Sequence, residues 1–269
     1  MAKSAEDLAL LMDVLVEGEN YTQKLVKSWN GMRIGFVDDK LWSFVDFICT
    51  ADPDLIAQQR ADYRNVKTRL RDAGVMVQED VPFPSMDDLN YNGEDALEQL
   101  WNHDFAAEWA AYLEFFDKPQ IRSIADMVEF NNQNADKELP SQYPGQQLLE
   151  LSLKDKMTET QYKEAFELVR LAAKTNGVDK TLADFDLDVI VGPMDGRIPT
   201  IAAAAGCPVG TVPLGYSPTN GRPYGLAIVA AAGKDDHIIK FMSAWDATMP
   251  KRKPPPQMVE WAETLSSKV

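Results

Sequence analysis

The sequence of 269 residues is poor in cysteine and histidine and has no long apolar run. Its two cysteines, Cys49 and Cys207, are too few for a disulfide framework. His103 and His237 each lack a second ligand at the spacing of zinc sites, so we expect no metal and no cofactor. Without a run of about 18 apolar residues, no membrane-spanning helix is expected. The polar start contains no secretion signal, which favours the cytoplasm.

Positive charge is also scarce. The chain has 27 Lys and Arg against 42 Asp and Glu, a formal net charge of -15. Such a surface repels phosphate backbones and anionic lipids, so we expect neither a nucleic acid nor a membrane as partner. The one basic cluster, Lys251-Arg252-Lys253, is short, and we interpret it as a solvated segment. With 45% apolar residues, the composition is typical of an acidic, soluble globular protein.

The N-terminal third has a strand–helix–strand pattern. Ser4 is a good N-cap for a first helix, and Gly18 is a plausible end for it. Residues 32–37 form a short apolar run that predicts a strand. A long helix is predicted over 53–73, followed by a strand over 75–79. This order is the unit of a sheet with parallel strands.

The middle of the chain, about 86–184, is predicted to be mostly helical. Residues 140–145 interrupt the pattern, and a further helix is predicted from near Thr158 to Gly177. Large aromatic residues recur at helical intervals, and we expect this stripe to pack into the core. The stripe consists of Trp101, Phe105, Trp109 and Phe116.

The C-terminal part returns to strands. Residues 189–193 predict a buried strand, and the small residues 202–206 predict a helix or turn. Strands over 209–213 and 225–229 flank a strong turn signal at 218–221, so we expect a hairpin, followed by a helix over 237–248. The predicted fold class is α/β, a mixed β-sheet flanked by helices. We expect a single domain over 1–269.

Several segments, taken in order along the chain, resemble the amidase-signature family of hydrolases. Residues 2–11 resemble the segment that follows the family's catalytic signature, and 187–193 resemble a late strand leading to the substrate cleft. Residues 205–216 and 220–226 resemble its C-terminal Gly-x-Pro and Val-Pro-x-Gly pattern. The middle segments 130–135 and 145–147 are most similar to the fungal branch.

The resemblance implies an α/β/α fold, of which this chain is the C-terminal portion. Family members hydrolyse amides with a nucleophilic serine, a bridging serine and a lysine base, all upstream of the segment that resembles 2–11. No position of this chain matches any of the three, so we name no catalytic residue. The chain is therefore expected to be truncated and inactive by itself.

The resemblance also indicates residues beside a substrate channel. Met194, Asp195 and Arg197 follow the strand at 189–193 and are candidates for holding a polar ligand group. The alternative is a structural ion pair between Asp195 and Arg197. Cys207 lies in a loop that the family places near its cleft, either as a reactive thiol or as a buried, inert one. The chain contains neither a Gly-x-Ser-x-Gly elbow nor a Ser-x-x-Lys pair.

Four functions stay open from the sequence. The first is an inactive amidase-like protein that binds a small amide-like ligand or a partner. The second is one piece of a working amidase completed by an N-terminal partner. The third is an enzyme that uses Cys207 as a relocated nucleophile, and the fourth is a non-enzymatic interaction protein. An open sheet edge also predicts either an exposed apolar patch or a homo-oligomer.

Overall fold

The computed structural model describes residues 1–40, 52–154, 157–254 and 258. Cys49 lies outside the described residues. The chain packs as two compact units, the first formed by Met1–Phe83 and Asn176–Val269 and the second by Pro84–Thr175. The single domain over 1–269 stays a prediction. No helix in the described part of the chain has the length and apolar character needed to cross a membrane.

The described α-helices are, in chain order, α1 (Ala5–Leu15), α2 (Pro53–Asp72), α3 (Ala96–Leu113), α4 (Ile124–Gln133), α5 (Ala135–Glu138), α6 (Gln147–Leu151), α7 (Glu159–Arg170), α8 (Asp179–Asp184), α9 (Ile198–Ala205) and α10 (Asp235–Thr248). The described strands are β1 (Arg33–Phe36), β2 (Met76–Gln78), β3 (Asn90–Tyr91), β4 (Glu94–Asp95), β5 (Val189–Pro193), β6 (Val209–Tyr216) and β7 (Pro223–Val229).

The first unit contains a five-stranded sheet in the order β2-β1-β5-β7-β6. β1 is parallel to β2 and to β5, whereas β7 is antiparallel to β5 and to β6. The two directions make the sheet mixed, and helices flank it. The predicted α/β fold class is therefore confirmed.

Both faces of the sheet are covered, which explains why its strands are nearly continuous apolar runs. Alternate residues such as Ile34 and Val191 share one core cluster with α2 and α10, including Tyr63 and Phe241. On the other face α9 approaches closely, because a Cβ added at Gly192 would lie 2.1 Å from Ile198 Cδ1. Only glycine fits that contact without displacing the helix side chain.

Local signals set several helix ends, of which the sequence predicted the cap at Ser4 and the end at Gly74, whereas α1 ends at Leu15 and not at the predicted Gly18. The Ser4 hydroxyl accepts a hydrogen bond from the backbone N–H of Asp7 and so caps α1. The Asp52 carboxylate accepts from the N–H groups of Asp54 and Leu55 at the start of α2. Gly74 follows the same helix with φ 77°, a left-handed conformation that glycine adopts at little cost.

The second unit is mostly helical, with the short antiparallel pair β3 and β4, but its aromatic stripe is not core. Trp101 is 60% exposed, Phe105 39% and Phe116 49%, and Trp109 is only partly buried, so this prediction is wrong. The physical reason is that α3 buries only its first turns, through Ala96, Leu97 and Leu100. The aromatic rings beyond those turns instead contact one another along the helix surface, from Phe105 to Phe116.

The predicted helix end at Gly177 is also wrong. α7 begins at Glu159 with a Thr158 cap, as expected, but the chain continues from Arg170 without a break. Leu171–Val178 forms a π-helical segment that includes Gly177 and leads directly into α8. A wider turn accommodates the glycine, so the sequence signal for a stop is not used.

Candidate functional site

Four described strands of the first unit, β2, β1, β5 and β6, run in the same direction, and the ends of three of them lead to polar side chains at one edge of the sheet. These three are β1, β5 and β6, and their ends lead to Asp39, Asp195 and Tyr216. In open α/β sheets, ligands bind outside the carboxyl ends of such strands. This edge is therefore the place where the fold positions a candidate site.

A cavity of about 30 Å³ lies at this edge, large enough for a water-sized group. Its wall combines the first half of α2 with the strand ends and the β6–β7 hairpin. The lining residues are Asp39, Ile56, Gln59, Arg60, Tyr63, Pro193, Asp195, Leu214, Tyr224, Gly225 and Leu226.

Tyr63 ties α2 to the two central parallel strands. Its side chain is buried, and its hydroxyl donates to the carbonyl oxygen of Val37 at 2.7 Å, with that of Val191 at 3.2 Å. Burial, and the negative charge of Asp39, raise the pKa of the phenol well above its usual value. The side chain is therefore a neutral hydrogen-bond donor that fixes the back of the cavity.

An ion pair forms one side of the wall. The Arg60 Nε atom on α2 lies 3.5 Å from the Asp39 Oδ2 atom, and only 19% of the Asp39 side chain is exposed. Water screens this pair in part, because the Arg60 side chain is 38% exposed. The pair places a guanidinium and a carboxylate at the cavity.

Asp195 is the second carboxylate in the wall. The Gln59 side-chain amide donates to its Oδ2 atom at a long 3.4 Å. Burial raises the pKa of Asp195, and the positive charge of Arg222 opposes this shift. A ligand that donates a hydrogen bond, such as an amide N–H, would stabilise the charged form of this partly buried carboxylate.

Tyr224 organises the opposite side through a network with α2. Its hydroxyl donates to Asp62 Oδ2 at 2.6 Å and accepts from the Gln58 amide at 2.9 Å. Burial, followed by the hydrogen bond to Asp62, raises the pKa of this phenol well above its usual value. Gly215 leaves room for the network, since a Cβ there would lie 2.5 Å from the Tyr224 hydroxyl.

Of the four residues that the sequence indicated beside a substrate channel, the structure places only some at the cavity. Asp195 lines the cavity, and Met194 adjoins it, with its backbone N–H bound to the Gly225 carbonyl at 3.0 Å. Arg197 is half-buried at the start of α9 and is not among the lining residues. Their role in ligand binding stays a prediction.

Cys207 lies at the other end of the strands. It precedes Val209, which pairs with Val229 at the end of β7, whereas the cavity lies near the start of β7. The thiol is buried, 4.0 Å from the Ala205 carbonyl oxygen. The structure therefore does not bring Cys207 together with Asp195.

Sequence reasoning missed the contribution of α2. Gln59, Arg60 and Tyr63 face the cavity from one side of this helix, and Asp39 meets them from the end of β1. One available signal was the helical spacing of Tyr63, Val66 and Leu70, all buried, which marks the inner face of α2.

The described side chains of the cavity wall supply hydrogen-bonding and charged groups. Among the residues that the structure describes, the wall contains no serine, cysteine, lysine or histidine, and both of its described tyrosines have raised pKa values. A nucleophile for acyl transfer needs a hydroxyl or thiol beside a base. Within the described ranges, no group of three or more His, Cys, Asp or Glu side chains is placed to hold a metal ion.

Comparison with known proteins gives amidases. No protein-family model matches the chain. A Schizosaccharomyces pombe protein named as an amidase is 28% identical and matches 81% of this chain and 40% of its own length. An Arabidopsis thaliana protein, also named as an amidase, is 27% identical over 71% of this chain and 36% of its own length. The chain thus spans less than half the length of these curated relatives.

Solved structures agree with the sequence relatives. Native peptide amidase from Stenotrophomonas maltophilia superposes with a TM-score of 0.75 and 26% identity, over 95% of this chain and 54% of that chain. An amidase family protein from Bacillus anthracis superposes with a TM-score of 0.74 and 22% identity, over 95% of this chain and 49% of that chain. At this identity the similarity shows the fold alone. The relatives in sequence and in fold are amidases, which supports the resemblance to the amidase-signature family.

Proposed function

We propose that this chain is the C-terminal portion of an amidase-signature protein of the fungal type, which binds a small amide-like ligand but does not hydrolyse it alone. One observation carries the proposal: the described residues of the cavity offer carboxylates, an amide and a guanidinium, and no nucleophile paired with a base lies among them. The similarity to amidases supports the class of ligand.

The ligand would insert only its amide nitrogen, because the cavity of about 30 Å³ has room for a water-sized group, and the rest of the ligand would lie at the mouth. It would bind through complementary hydrogen bonds. A primary amide presents N–H donors, which suit the carboxylate of Asp195, and a carbonyl acceptor, which suits the donors of Gln59 or Arg60. The charge of Asp195 is disfavoured by its surroundings, so pairing it with a donor recovers free energy. Asp195 is therefore the residue whose loss should weaken binding most.

Binding can be tested with acetamide as the probe, by NMR titration of the full chain. We expect Asp195→Asn to weaken binding about tenfold or more, since a hydrogen bond to a charged group contributes about 1.5–3 kcal/mol. Asp72→Asn is the matched control, because Asp72 is exposed at the C-terminal end of α2 and does not line the cavity. Equal affinities of the two variants would contradict the proposed site.

Inactivity is tested with an aryl amide and the corresponding aryl ester. Ordinary enzymes turn over at about 1–1000 per second, and sites without their nucleophile and base retain only residual rates. We expect the chain alone to stay at least a thousandfold below that range. A turnover of about one per second would refute the proposal, and its abolition by Cys207→Ser would identify the thiol as nucleophile.

A second candidate function is one part of a working amidase, completed by the remaining portion of the fold. The superposition on the peptide amidase favours it, because 95% of this chain superposes on only 54% of the peptide amidase chain. In that case hydrolysis would appear only after the complementary portion is added. No specific observation favours a purely non-enzymatic interaction protein.

A further inference from the structure

α3 carries apolar side chains on two of its sides, and one of the two is packed. On the packed side Ala96, Leu97 and Leu100 are buried. Next to them the Tyr162 hydroxyl of α7 donates to the Asp104 carboxylate at 2.7 Å. A helix that is apolar on more than one side is usually covered on more than one side. The other apolar side of α3 is therefore a candidate contact surface.

The other side is a row of aromatic rings, which we call the aromatic face. From Phe105 to Phe116 the centroids of neighbouring rings lie 6.1, 5.8 and 5.3 Å apart. Four of the five side chains are at least 39% exposed. Exposed contiguous apolar patches mark interaction sites, and aromatic residues are enriched at protein interfaces. The aromatic face consists of Trp101, Phe105, Trp109, Tyr112 and Phe116.

A groove of about 800 Å³ adjoins the C-terminal half of the aromatic face. It lies between the end of α3 and α4, and four aromatic rings line it. They are Trp109, Tyr112, Phe116 and Phe130. Ligand pockets typically measure about 300–1,000 Å³, so the groove has room for bulky apolar groups of a bound molecule.

The length of the aromatic face favours a helix over a small molecule. From Trp101 to Phe116 it spans about 22 Å, at about 1.5 Å per residue. A compact ligand in the groove would leave Trp101 and Phe105 in water. From Phe105 the rings recur at steps of four, three and four residues, the spacing at which one helix packs along another. A partner helix of about four turns would cover the whole row.

Charge selects the kind of helix. Among the described lining residues of the groove one is basic, Lys118, and three are acidic: Asp117, Asp126 and Glu129. Glu98 and Glu108 are also exposed on α3, and each lies three residues from a ring of the aromatic face, a spacing that makes neighbours on a helix. These carboxylates attract a basic partner. They repel anionic lipid and a second copy of the chain, which has a net charge of -15.

We propose that the aromatic face binds an amphipathic helix of a partner protein, with aliphatic residues against the rings and lysine or arginine residues against the carboxylates. This is the helix-in-groove mode of recognition. Lysine and arginine also bind over aromatic rings, which attract cations. The residues that carry the inference all belong to the second unit, so it does not depend on the cavity beside Asp195.

The test uses fluorescence anisotropy of a labelled peptide titrated with the full chain. The peptide contains about 15 residues, enough to span the aromatic face as a helix. It has leucine at heptad positions a and d and lysine at the other positions. A second peptide has glutamate in place of lysine, and a third has the leucines and lysines in scrambled order. We expect the lysine peptide to bind at least about tenfold more tightly than either of the others.

Phe116→Ser removes one ring of the aromatic face at a position that is 49% exposed. It should weaken binding of the lysine peptide by about tenfold, as the loss of an aromatic anchor does. Phe115→Ser is the matched control, because Phe115 is 87% exposed and is not among the described lining residues of the groove. This control should bind as the parent does. Circular dichroism and the thermal midpoint check that both variants fold.

Asp117→Asn combined with Glu129→Gln tests the carboxylates of the groove. We expect binding about threefold weaker than that of the parent, because exposed charge pairs contribute little each, and a smaller loss of affinity when salt is added. Asp136→Asn combined with Glu138→Gln changes the net charge equally on α5, outside the described lining residues, and should bind as the parent does. This comparison decides the inference if Phe116→Ser does not fold.

Two results would overturn the inference directly: equal binding of the three peptides, or equal binding by Phe116→Ser and Phe115→Ser. Light scattering checks for a dimer of the chain alone, and a dimer that dissociates in Phe116→Ser would make a second copy the occupant of the aromatic face. Binding to neutral phosphatidylcholine vesicles that Phe116→Ser abolishes would make a membrane surface the occupant. Either occupant would exclude the proposed partner helix.

Discussion

Tyr63→Phe tests whether the hydroxyl of Tyr63 holds the strand ends in place behind the cavity. The side chain is 2% exposed, and its hydroxyl reaches the Val37 carbonyl at 2.7 Å. In the variant the Val191 carbonyl still accepts a hydrogen bond from the Val37 N–H at 3.0 Å, so losing the Tyr63 hydroxyl costs this carbonyl little. The Val37 carbonyl, on a residue 1% exposed, would lose the bond from Tyr63.

The expected cost follows from that one buried acceptor. Leaving a buried carbonyl unsatisfied costs about 1–3 kcal/mol. With a urea slope of about 3 kcal/mol per M, the midpoint should fall by roughly 0.3–1 M at unchanged slope. Tyr143→Phe is the matched control, because Tyr143 is 78% exposed and should shift by less than about 0.5 kcal/mol.

The pH dependence gives a second readout on the same pair of proteins. Burial raises the pKa of Tyr63 in the folded state, so the folded protein holds this proton more tightly than the unfolded chain does. That contribution is present below about pH 10 and is lost as the pH rises further. Tyr63→Phe should therefore lose stability less steeply above pH 10. Equal midpoints for Tyr63→Phe and Tyr143→Phe would refute this account of the cavity wall.

Three further substitutions have defined outcomes. Asp195→Asn should leave the chain as stable or more stable at pH 7, because burial raises the pKa of this carboxyl and its ionisation opposes folding. The urea midpoints of the variant and the parent should converge below about pH 4, and a variant less stable than the parent at pH 7 would contradict this account. Asp188→Asn should cost about 1–3 kcal/mol at pH 7, because its carboxylate accepts three hydrogen bonds from Arg33. Burial raises the pKa of Asp188, but the hydrogen bonds from Arg33 outweigh burial, so the net effect is a lowered pKa. The stability that Asp188 contributes is therefore present above about pH 4 and is lost as the pH falls. A stability loss in Asp188→Asn that does not depend on pH would count against this account. Gly225→Ala should cost about 1–3 kcal/mol in thermal or urea unfolding, since its Cβ would lie 2.6 Å from the Val212 carbonyl oxygen, and an unchanged midpoint would show that the hairpin yields easily.

Much of the fold was predictable because its signals are local. The run at 189–193 has the β-branched residues of a buried strand, and the structure places a strand on the same residues. Ser4 and Gly74 end their helices through contacts and backbone angles within one helical turn, so their capping roles could be predicted without tertiary contacts. The ordered resemblance of short segments added the fold class, which the peptide amidase superposition supports.

The errors came where burial depends on neighbours distant in the chain. Helical spacing of aromatic residues indicates one face but not what covers it, so Trp101 and Phe116 were expected inside and lie exposed. Gly177 has the local signature of a stop, yet the chain continues through it as a π-helix. Periodicity alone cannot report whether a packing partner exists.

Sequence by itself determined the strand and helix order, the absence of a nucleophile–base motif, and Asp195 as a candidate ligand contact. Tertiary structure alone decided that Arg60 meets Asp39, that Tyr63 joins β1 to β5, and that Cys207 lies at the far end of the strands. The reason is physical: caps and strand runs act over a few residues, whereas a cavity is made by groups whose proximity exists only after the sheet has formed.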